Sequence, residues 1–239
     1  MLSSTTSGGR ADALAAQLRD AILRGDYPVG SRLPAERDLA QSLGVGRSTV
    51  REAVVKLVQL GLVEVRHGGG ATVMPVVDAN LEVLRHLLVL DGKIDLKLVE
   101  EFLDMMELLL TAMVRFSIER ASDAEIEHAR ELLDKMGEPG AGDAEFLDAL
   151  EELVQRMAEA SRHTVLRLVR NGFRAIIGGA PGRRPRDLIR PHAEDVVAAI
   201  KELRTALDQR DAEAAVHGAR QLMRAGREQF MRRQAKRAR

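Results

Sequence analysis

The hydrophobic pattern of residues 1–75 changes once, from a helical period to an alternating one. Three helical segments come first, ADALAAQLRDAILRG, AERDLAQSL and RSTVREAVVKLVQL, each followed closely by a glycine that can end it. The runs LVEV and ATV then flank a glycine stretch, which predicts a two-stranded hairpin with a small tip. The order helix, helix, turn, helix, hairpin is that of a winged helix-turn-helix.

Beyond Pro75 the sequence carries long helical patterns and no strand signal. We predict helices at 78–91, 95–121, 123–136, 143–160, 163–178, 187–209 and 211–235, with GEPGAG and GGAPGRRP as the breaks. The predicted domains are a disordered tail at 1–9, a winged helix at 10–75 and an all-helical bundle at 76–239. The predicted fold class is therefore mainly α, an N-terminal winged helix-turn-helix with a two-stranded wing plus a C-terminal all-helical bundle.

Composition excludes several classes of protein. The chain has 239 residues, 45% of them hydrophobic, with 36 basic and 36 acidic residues, so any basic surface must be local. It has no cysteine, which excludes disulfides and thiolate chemistry. Its first residues lack the apolar core of a signal peptide, and no apolar run reaches the ~18 residues of a membrane span. We expect a cytoplasmic protein without a membrane partner.

The third helical segment carries polar side chains at its start and aliphatic ones behind. In a helix-turn-helix the second helix enters the major groove with its N-terminal end, so Arg47 and Arg51, one turn apart, suit guanine edges. The hydroxyls of Ser48 and Thr49 suit phosphate oxygens. The alternative is an ordinary solvated helix face. The preceding helix with Arg37 and the basic, glycine-rich wing tip, with Arg66 and His67 available to the minor groove, favour DNA binding.

The stretch PAERDLAQSLGVGRSTVREAVVKLVQLGLVEVRHGGGATV resembles the winged helix of the GntR-type bacterial transcription regulators, over roughly residues 10–75. Gly46 departs from that family, which often has a serine or threonine at this position. The phosphate or base contact that such a side chain makes is therefore not carried over to this chain. The resemblance assigns DNA contacts to Arg37, Arg47, Ser48, Thr49, Arg51, His67 and Gly68.

The bundle sequence, including NLEVLRHLLVLDGKIDLKLVEEFLD, resembles the effector domain of the fatty-acid-responsive regulators. Many such domains hold a divalent metal with one Asp and three His, and an Arg that binds a carboxylate effector. Alignment of this chain with the family on residues 158–161 and 211–215 places aliphatic residues at the four positions of the metal ligands. Met106, beside Met105, stands at the position of the effector-binding arginine. Aliphatic groups cannot ligate Zn²⁺ or Mn²⁺, so we expect no metal and no cofactor. The chain does contain His163, His192 and His217, one of which a shift of the alignment register would bring inward. Without such a shift all three are expected on the surface.

Methionine and aliphatic side chains in a bundle suit a lipid-like ligand. The predicted effector-binding residues are Met105, Met106, Leu150, Val154, Ile200 and Leu222. The resemblance implies a long-chain acyl-coenzyme A as effector; the alternatives are another small metabolite, or a filled core that only dimerises. The basic loop GRRPRDLIRP is either solvated or contacts the anionic coenzyme head. The basic C-terminal stretch from residue 220 onward is either solvated or contacts DNA phosphates.

The sequence thus predicts a homodimeric transcription regulator that binds a pseudo-palindromic double-stranded DNA operator and responds to a small-molecule effector. A dimer places two recognition helices about one DNA turn apart, which requires two-fold symmetry of the operator. No nucleophile elbow, phosphate loop or zinc-protease motif is present, so we do not expect an enzyme. The remaining alternative is a ligand-free architectural DNA-binding protein.

Overall fold

The computed structural model describes residues 7–66, 69–138, 142–178 and 194–237. The chain divides into two compact units, Met1–Asp95 and Leu96–Arg239. The mainly helical fold class is confirmed. Among the described residues, no helix is both long and apolar enough to cross a membrane.

The first unit begins with three helices, α1 (Ser7–Arg24), α2 (Glu36–Leu43) and α3 (Arg47–Gln59). Helix α1 therefore starts inside the segment predicted to be a disordered tail. Helix α2 ends at Gly44, whose left-handed backbone (φ 64°) lets its N–H bond the Ala40 carbonyl and starts the short turn into α3. The inward faces of the three helices share one core, to which the main contributors are Leu14, Leu18, Ile22, Leu39, Val50, Val54 and Leu57.

Two strands form the wing of the first unit, β1 (Val63–Arg66) and β2 (Gly70–Val73), paired antiparallel with Val63 opposite Val73. The connector before α2 adds a third, short pairing, because Arg32 bridges Thr72. The Leu33 N–H donates to the Ala71 carbonyl at 2.8 Å. The wing is thereby held from one edge, while Val63 and Val73 bury their side chains in the core.

Residues 76–95 do not form the helix that was predicted at 78–91. They form two 3-10 turns (Val76–Asp78 and Leu81–Val83), a single helical turn α4 (Leu84–Leu87) and a small hairpin, β3 (Val89–Leu90) with β4 (Lys93–Ile94). The hairpin turn is Asp91-Gly92, and both residues have positive φ (50° and 74°). An Asp-Gly pair with positive φ at both positions is a strong two-residue hairpin signal, which outweighs the helical spacing of the leucines.

This segment also belongs to the first unit, which extends to Asp95 rather than ending at the predicted residue 75. The physical reason is burial. Val83 is only 1% exposed and lies in the core formed by the three helices and the wing, and Leu87 packs against that core.

The second unit contains α5 (Leu96–Arg120), α6 (Asp123–Gly137), α7 (Asp143–Ala160), α8 (Thr164–Gly178), α9 (Glu194–Gln209) and α10 (Ala212–Arg237). Their bounds agree with the predicted helices within a few residues, apart from 187–193, which lie outside the described residues. Helix α6 begins at a reciprocal cap, in which the Ser122 hydroxyl and the Glu125 carboxylate bond each other's backbone N–H.

The helices of the second unit pack chiefly as neighbouring pairs, α10 with α9 and α5, and α6 with α7 and α9. At Gly218 an added Cβ would lie 2.9 Å from a Leu203 side-chain carbon, so only glycine allows α9 and α10 to approach this closely. The shared core is almost entirely aliphatic and includes Val114, Ile118, Leu132, Leu133, Met136, Phe146, Val196, Leu203 and Leu207.

Candidate DNA-binding surface and effector cavity

The start of α3 is an exposed, basic helix end. Arg47 is the first helical residue, and both it and Ser48 are exposed. The preceding Gly46 places no side chain on the first backbone N–H groups of α3. Helix N-terminal N–H groups, a hydroxyl and an arginine can together bind a phosphate or a base edge. The geometry is thus suited to an anionic ligand.

Thr49 differs from its predicted neighbours, because only 7% of it is exposed. It lies on the same helical face as Ala53 and Leu57, both of which are buried in the core. In the free protein its hydroxyl therefore faces the interior side of α3. The structure separates Thr49 from the exposed set that contains Arg47, Ser48 and Arg51.

Arg51 is held by Glu36, the first residue of α2. Its guanidinium donates to Glu36 at 2.9 Å through one nitrogen and at 3.3 Å to both carboxylate oxygens through another. These hydrogen bonds raise the pKa of Arg51 above its usual value. This pair joins the start of α2 to α3, and it was not predicted, because 15 residues separate its members and no local pattern links them. Any DNA contact by Arg51 has to compete with this carboxylate.

The other predicted arginines are also exposed and paired with neighbouring carboxylates. Arg37 bonds Asp38 at 3.2 Å, and Arg66, at the end of β1, bonds Glu64 at 3.1 Å. Both side chains remain more than two-thirds exposed, so these pairs contribute little to stability. The predicted contacts His67 and Gly68 lie outside the described residues.

The bundle encloses a cavity of about 200 Å³ between α5, α6, α7, α9 and α10. Three of the six predicted effector residues line it, Leu150, Val154 and Leu222. The other wall residues are mostly aliphatic, among them Leu110, Val114, Ile118, Ile126, Leu133, Leu153, Met157, Leu203, Leu207, Ala219 and Met223. The lining of the cavity is therefore apolar.

The remaining three predicted effector residues do not line the cavity. Ile200 is buried in the core of the bundle, Met106 is half-buried, and Met105 is exposed. On α5 the cavity is lined by Leu110 and Val114. Met106 lies one turn before Leu110 on the same side of the helix but does not line the cavity, and Met105 is exposed. The methionines of the wall are Met157 and Met223, which sequence reasoning missed because the rotation of each helix was unknown.

Few polar groups border the cavity, and the charged ones are already paired. Ser117 is buried and donates to the Val114 carbonyl at 2.7 Å. Two hydrogen bonds from Arg162, helped by the backbone of Ser122, lower the pKa of Glu125 to about 2, so this carboxylate stays ionised at neutral pH. Arg156 contacts Glu152 at 3.4 Å and Glu159 at 3.5 Å.

The wall does not fit a divalent metal. The positions expected to hold ligands are aliphatic, and within the described ranges no group of three or more His, Asp or Glu could hold a metal ion. His163 instead stacks on Phe116 with ring centroids 5.3 Å apart, and His217 is exposed beside Gln221. His192 lies outside the described residues.

Two family models match the chain. Residues 10–73 match the bacterial regulatory proteins of the gntR family, and residues 101–225, more than half of the chain, match the FCD domain. The chain therefore belongs to the GntR family of bacterial regulatory proteins, in the group with an FCD domain.

Named relatives agree with this assignment. An uncharacterized HTH-type transcriptional regulator of Mycobacterium tuberculosis is 52% identical over 62 residues, 26% of each chain. The HTH-type transcriptional regulator Mce2R of the same species is 34% identical over 163 residues, 66% of each chain. The matched parts thus span about a quarter and about two-thirds of these relatives. The relatives are named as transcription regulators, not as enzymes.

A solved structure shares the fold. It is the structure of Lar, which controls the expression of the Listeria monocytogenes agr system. The two chains align with a TM-score of 0.53 and 15% identity over 93% of this chain and 96% of that one. At this identity the likeness concerns the fold alone.

Proposed function

We propose that the protein is a cytoplasmic, homodimeric transcription regulator that binds a pseudo-palindromic operator and responds to a lipophilic effector. The observation that carries the DNA-binding part is the exposed start of α3, where Arg47, Ser48 and Arg51 stand beside uncapped N–H groups. This is the end of a recognition helix that meets base edges and phosphates in a helix-turn-helix. Family membership supports the same function.

The test of DNA binding begins with selection of a preferred palindrome from random DNA, followed by fluorescence anisotropy. Arg47→Ala should weaken binding to that palindrome by about 5- to 150-fold, the value of one good bidentate base contact. Binding to random DNA should weaken much less. Arg167→Ala, an exposed arginine on α8, is the matched control and should change neither. Failure to select any preferred sequence would instead favour an architectural DNA-binding protein.

The Glu36–Arg51 pair gives a second, independent test of the same surface. Glu36→Gln removes the carboxylate that competes with DNA for Arg51. Binding to random DNA should become tighter, and its dependence on salt should steepen by about one counterion. The double variant with Arg51→Ala should lose this gain. An Arg51 that never contacts DNA would leave both measurements unchanged in Glu36→Gln.

The effector part of the proposal is supported by the apolar cavity. Its volume of about 200 Å³ is below the ~300–1,000 Å³ of pockets for drug-sized ligands. It can therefore hold the end of an acyl chain, while a coenzyme head would remain outside. We propose a long-chain acyl-coenzyme A as effector; a different small metabolite would have to be largely apolar, because the bordering Glu125 and Arg156 are engaged in ion pairs.

Thermal unfolding and operator binding with added palmitoyl-coenzyme A test this part. A ligand that binds the folded state must raise the melting temperature, and a regulator's effector must also weaken or strengthen operator binding. Coenzyme A alone is the control. Leu150→Asp should abolish the response by placing an unpaired carboxylate in the cavity wall, whereas Leu150→Met should keep it. No response to any acyl ester would contradict the proposed effector and leave the DNA-binding part standing.

A further inference from the structure

The connector that precedes α2 is fixed to the wing by backbone hydrogen bonds. The Val73 N–H donates to the Ser31 carbonyl at 2.9 Å, and the Leu33 N–H donates to the Ala71 carbonyl at 2.8 Å. Residues 31–33 therefore act as a short third strand beside β2. Arg32, at the centre of this strand, is held in place by the sheet and not by a free loop.

The side chain of Arg32 lies on the outer face of the wing. Successive side chains of a strand point to opposite faces, and the next residue, Leu33, is buried in the core with only 5% exposed. Arg32 is exposed, and its backbone pairs with Thr72 of β2. On the far side of Thr72 lies Glu64 of β1. The outer face thus carries Arg32, Thr72 and Glu64 side by side on three strands.

Arg32 has no carboxylate partner in its own unit. Within residues 7–66 and 69–95, no carboxylate oxygen lies within 4 Å of its guanidinium. The acidic residues of the wing and of α2 are bound to other arginines, Glu64 to Arg66, Glu36 to Arg51 and Asp38 to Arg37. An exposed guanidinium without such a partner can bind an external anion without first breaking an ion pair.

The position of Arg32 in the fold indicates which anion this is. Its strand runs antiparallel to β2, which starts at the wing tip with Gly70, so the chain runs from Arg32 toward that tip. It then enters α2 at Glu36, which is bonded to Arg51 of α3. Residues 32–36 thus connect the wing to the start of the recognition helix. When α3 lies in a major groove and the wing at the adjacent minor groove, one phosphate backbone separates the two.

We propose that Arg32 is a further DNA-binding residue, which contacts a phosphate of the backbone between these two grooves. The inference rests on the proposed function, because it requires the recognition helix to bind DNA. A phosphate contact carries no sequence information and positions the protein on the duplex. Arg32 therefore contributes sequence-independent affinity, whereas Arg51 must exchange Glu36 for its DNA contact.

The experiment measures binding of the full chain to random double-stranded DNA by fluorescence anisotropy over a range of salt concentrations. Arg32→Gln should reduce the slope of log affinity against log salt by about one for each bound protomer, because one fewer counterion is released. Arg32→Lys keeps the charge and should keep the slope. Arg167→Gln, at an exposed position on α8, is the matched control and should leave the slope unchanged. All four proteins should have the same melting temperature, because both positions are exposed.

Comparison of two DNAs separates a phosphate contact from a base contact. Arg32→Gln should weaken binding to the selected palindrome and to random DNA by the same factor, unlike Arg47→Ala. An unchanged slope in Arg32→Gln, an equal loss of slope in Arg32→Lys, or a loss confined to the palindrome would overturn the inference and leave the proposed function in place. The expected slopes in a protein that selects no palindrome would support the Arg32 contact and contradict the sequence-specific function.

Discussion

Filling the bundle cavity from one small wall residue should stabilise the protein and abolish its response to ligand at the same time. Ala219 on α10 is half-buried and lines the cavity. Ala219→Leu extends three further carbon atoms into a space of about 200 Å³ that the wall residues leave open. Most destabilising core changes would also reduce ligand binding, so the opposite signs of the two effects make this variant informative.

The expected magnitude follows from the burial of those three carbons. At about 0.8 kcal/mol per buried carbon, they contribute about 2.4 kcal/mol to the free energy of unfolding. Fixing the leucine in one rotamer costs about 0.5–1 kcal/mol. The net gain is about 1.5 kcal/mol, which corresponds to a rise of about 3–6 °C in melting temperature for a protein of this size.

The assay is thermal unfolding with and without palmitoyl-coenzyme A, together with operator binding. Ala219→Leu should melt higher than the unmodified protein, bind the operator equally well and show no shift with ligand. Ala198→Leu, at an exposed position on α9, is the matched control and should change stability by no more than about 0.5 kcal/mol. A lower melting temperature would show that the cavity is not open at Ala219, and an undiminished ligand shift would place the ligand elsewhere.

Three further predictions concern other parts of the molecule. Gly61→Ala should destabilise the first unit more than Gly25→Ala in chemical unfolding. Both glycines have positive φ, but at Gly61 an added Cβ would also lie 3.1 Å from a backbone atom. Equal losses of stability in the two variants would contradict this reasoning. Glu125→Gln should flatten the acid limb of stability: the depressed pKa means that Glu125 stabilises the folded state above pH ~4.5 and loses this contribution as pH falls toward about 2. Elemental analysis of the purified protein should find no stoichiometric Zn, Mn or Ni, and a chelator should leave its melting temperature unchanged.

The regular elements could be predicted because their signals are local. Helix α3, the wing and most of the bundle helices follow from hydrophobic period and from glycines at helix ends, which need only neighbouring residues. The Asp91-Gly92 turn was also a local signal, but the leucine spacing around it was read as helical. Its hairpin shows that a strong turn dipeptide can decide the structure of a short apolar segment.

The details of the sites depended on information that the sequence does not carry locally. Which residues of α5 reach the cavity is set by the packing of this helix against α7, α8 and α10, so Met105 and Met106 were predicted in a wall whose methionines are Met157 and Met223. The same holds for Thr49, whose burial depends on the rotation of α3 within the first unit. Long-range pairs such as Glu36 with Arg51 belong to this class as well.

The carboxylate of Glu36 also has a consequence for the search for an operator in a whole genome. A genome offers about 10⁶–10⁹ competing sites, so a regulator is titrated by DNA unless its sequence-independent affinity stays low. Glu36 holds Arg51 in the absence of DNA. A DNA phosphate must therefore displace the Glu36 carboxylate before it can bind Arg51. For the DNA-binding function proposed above, this acidic side chain at the start of α2 should shorten the time that the protein spends on DNA of unrelated sequence.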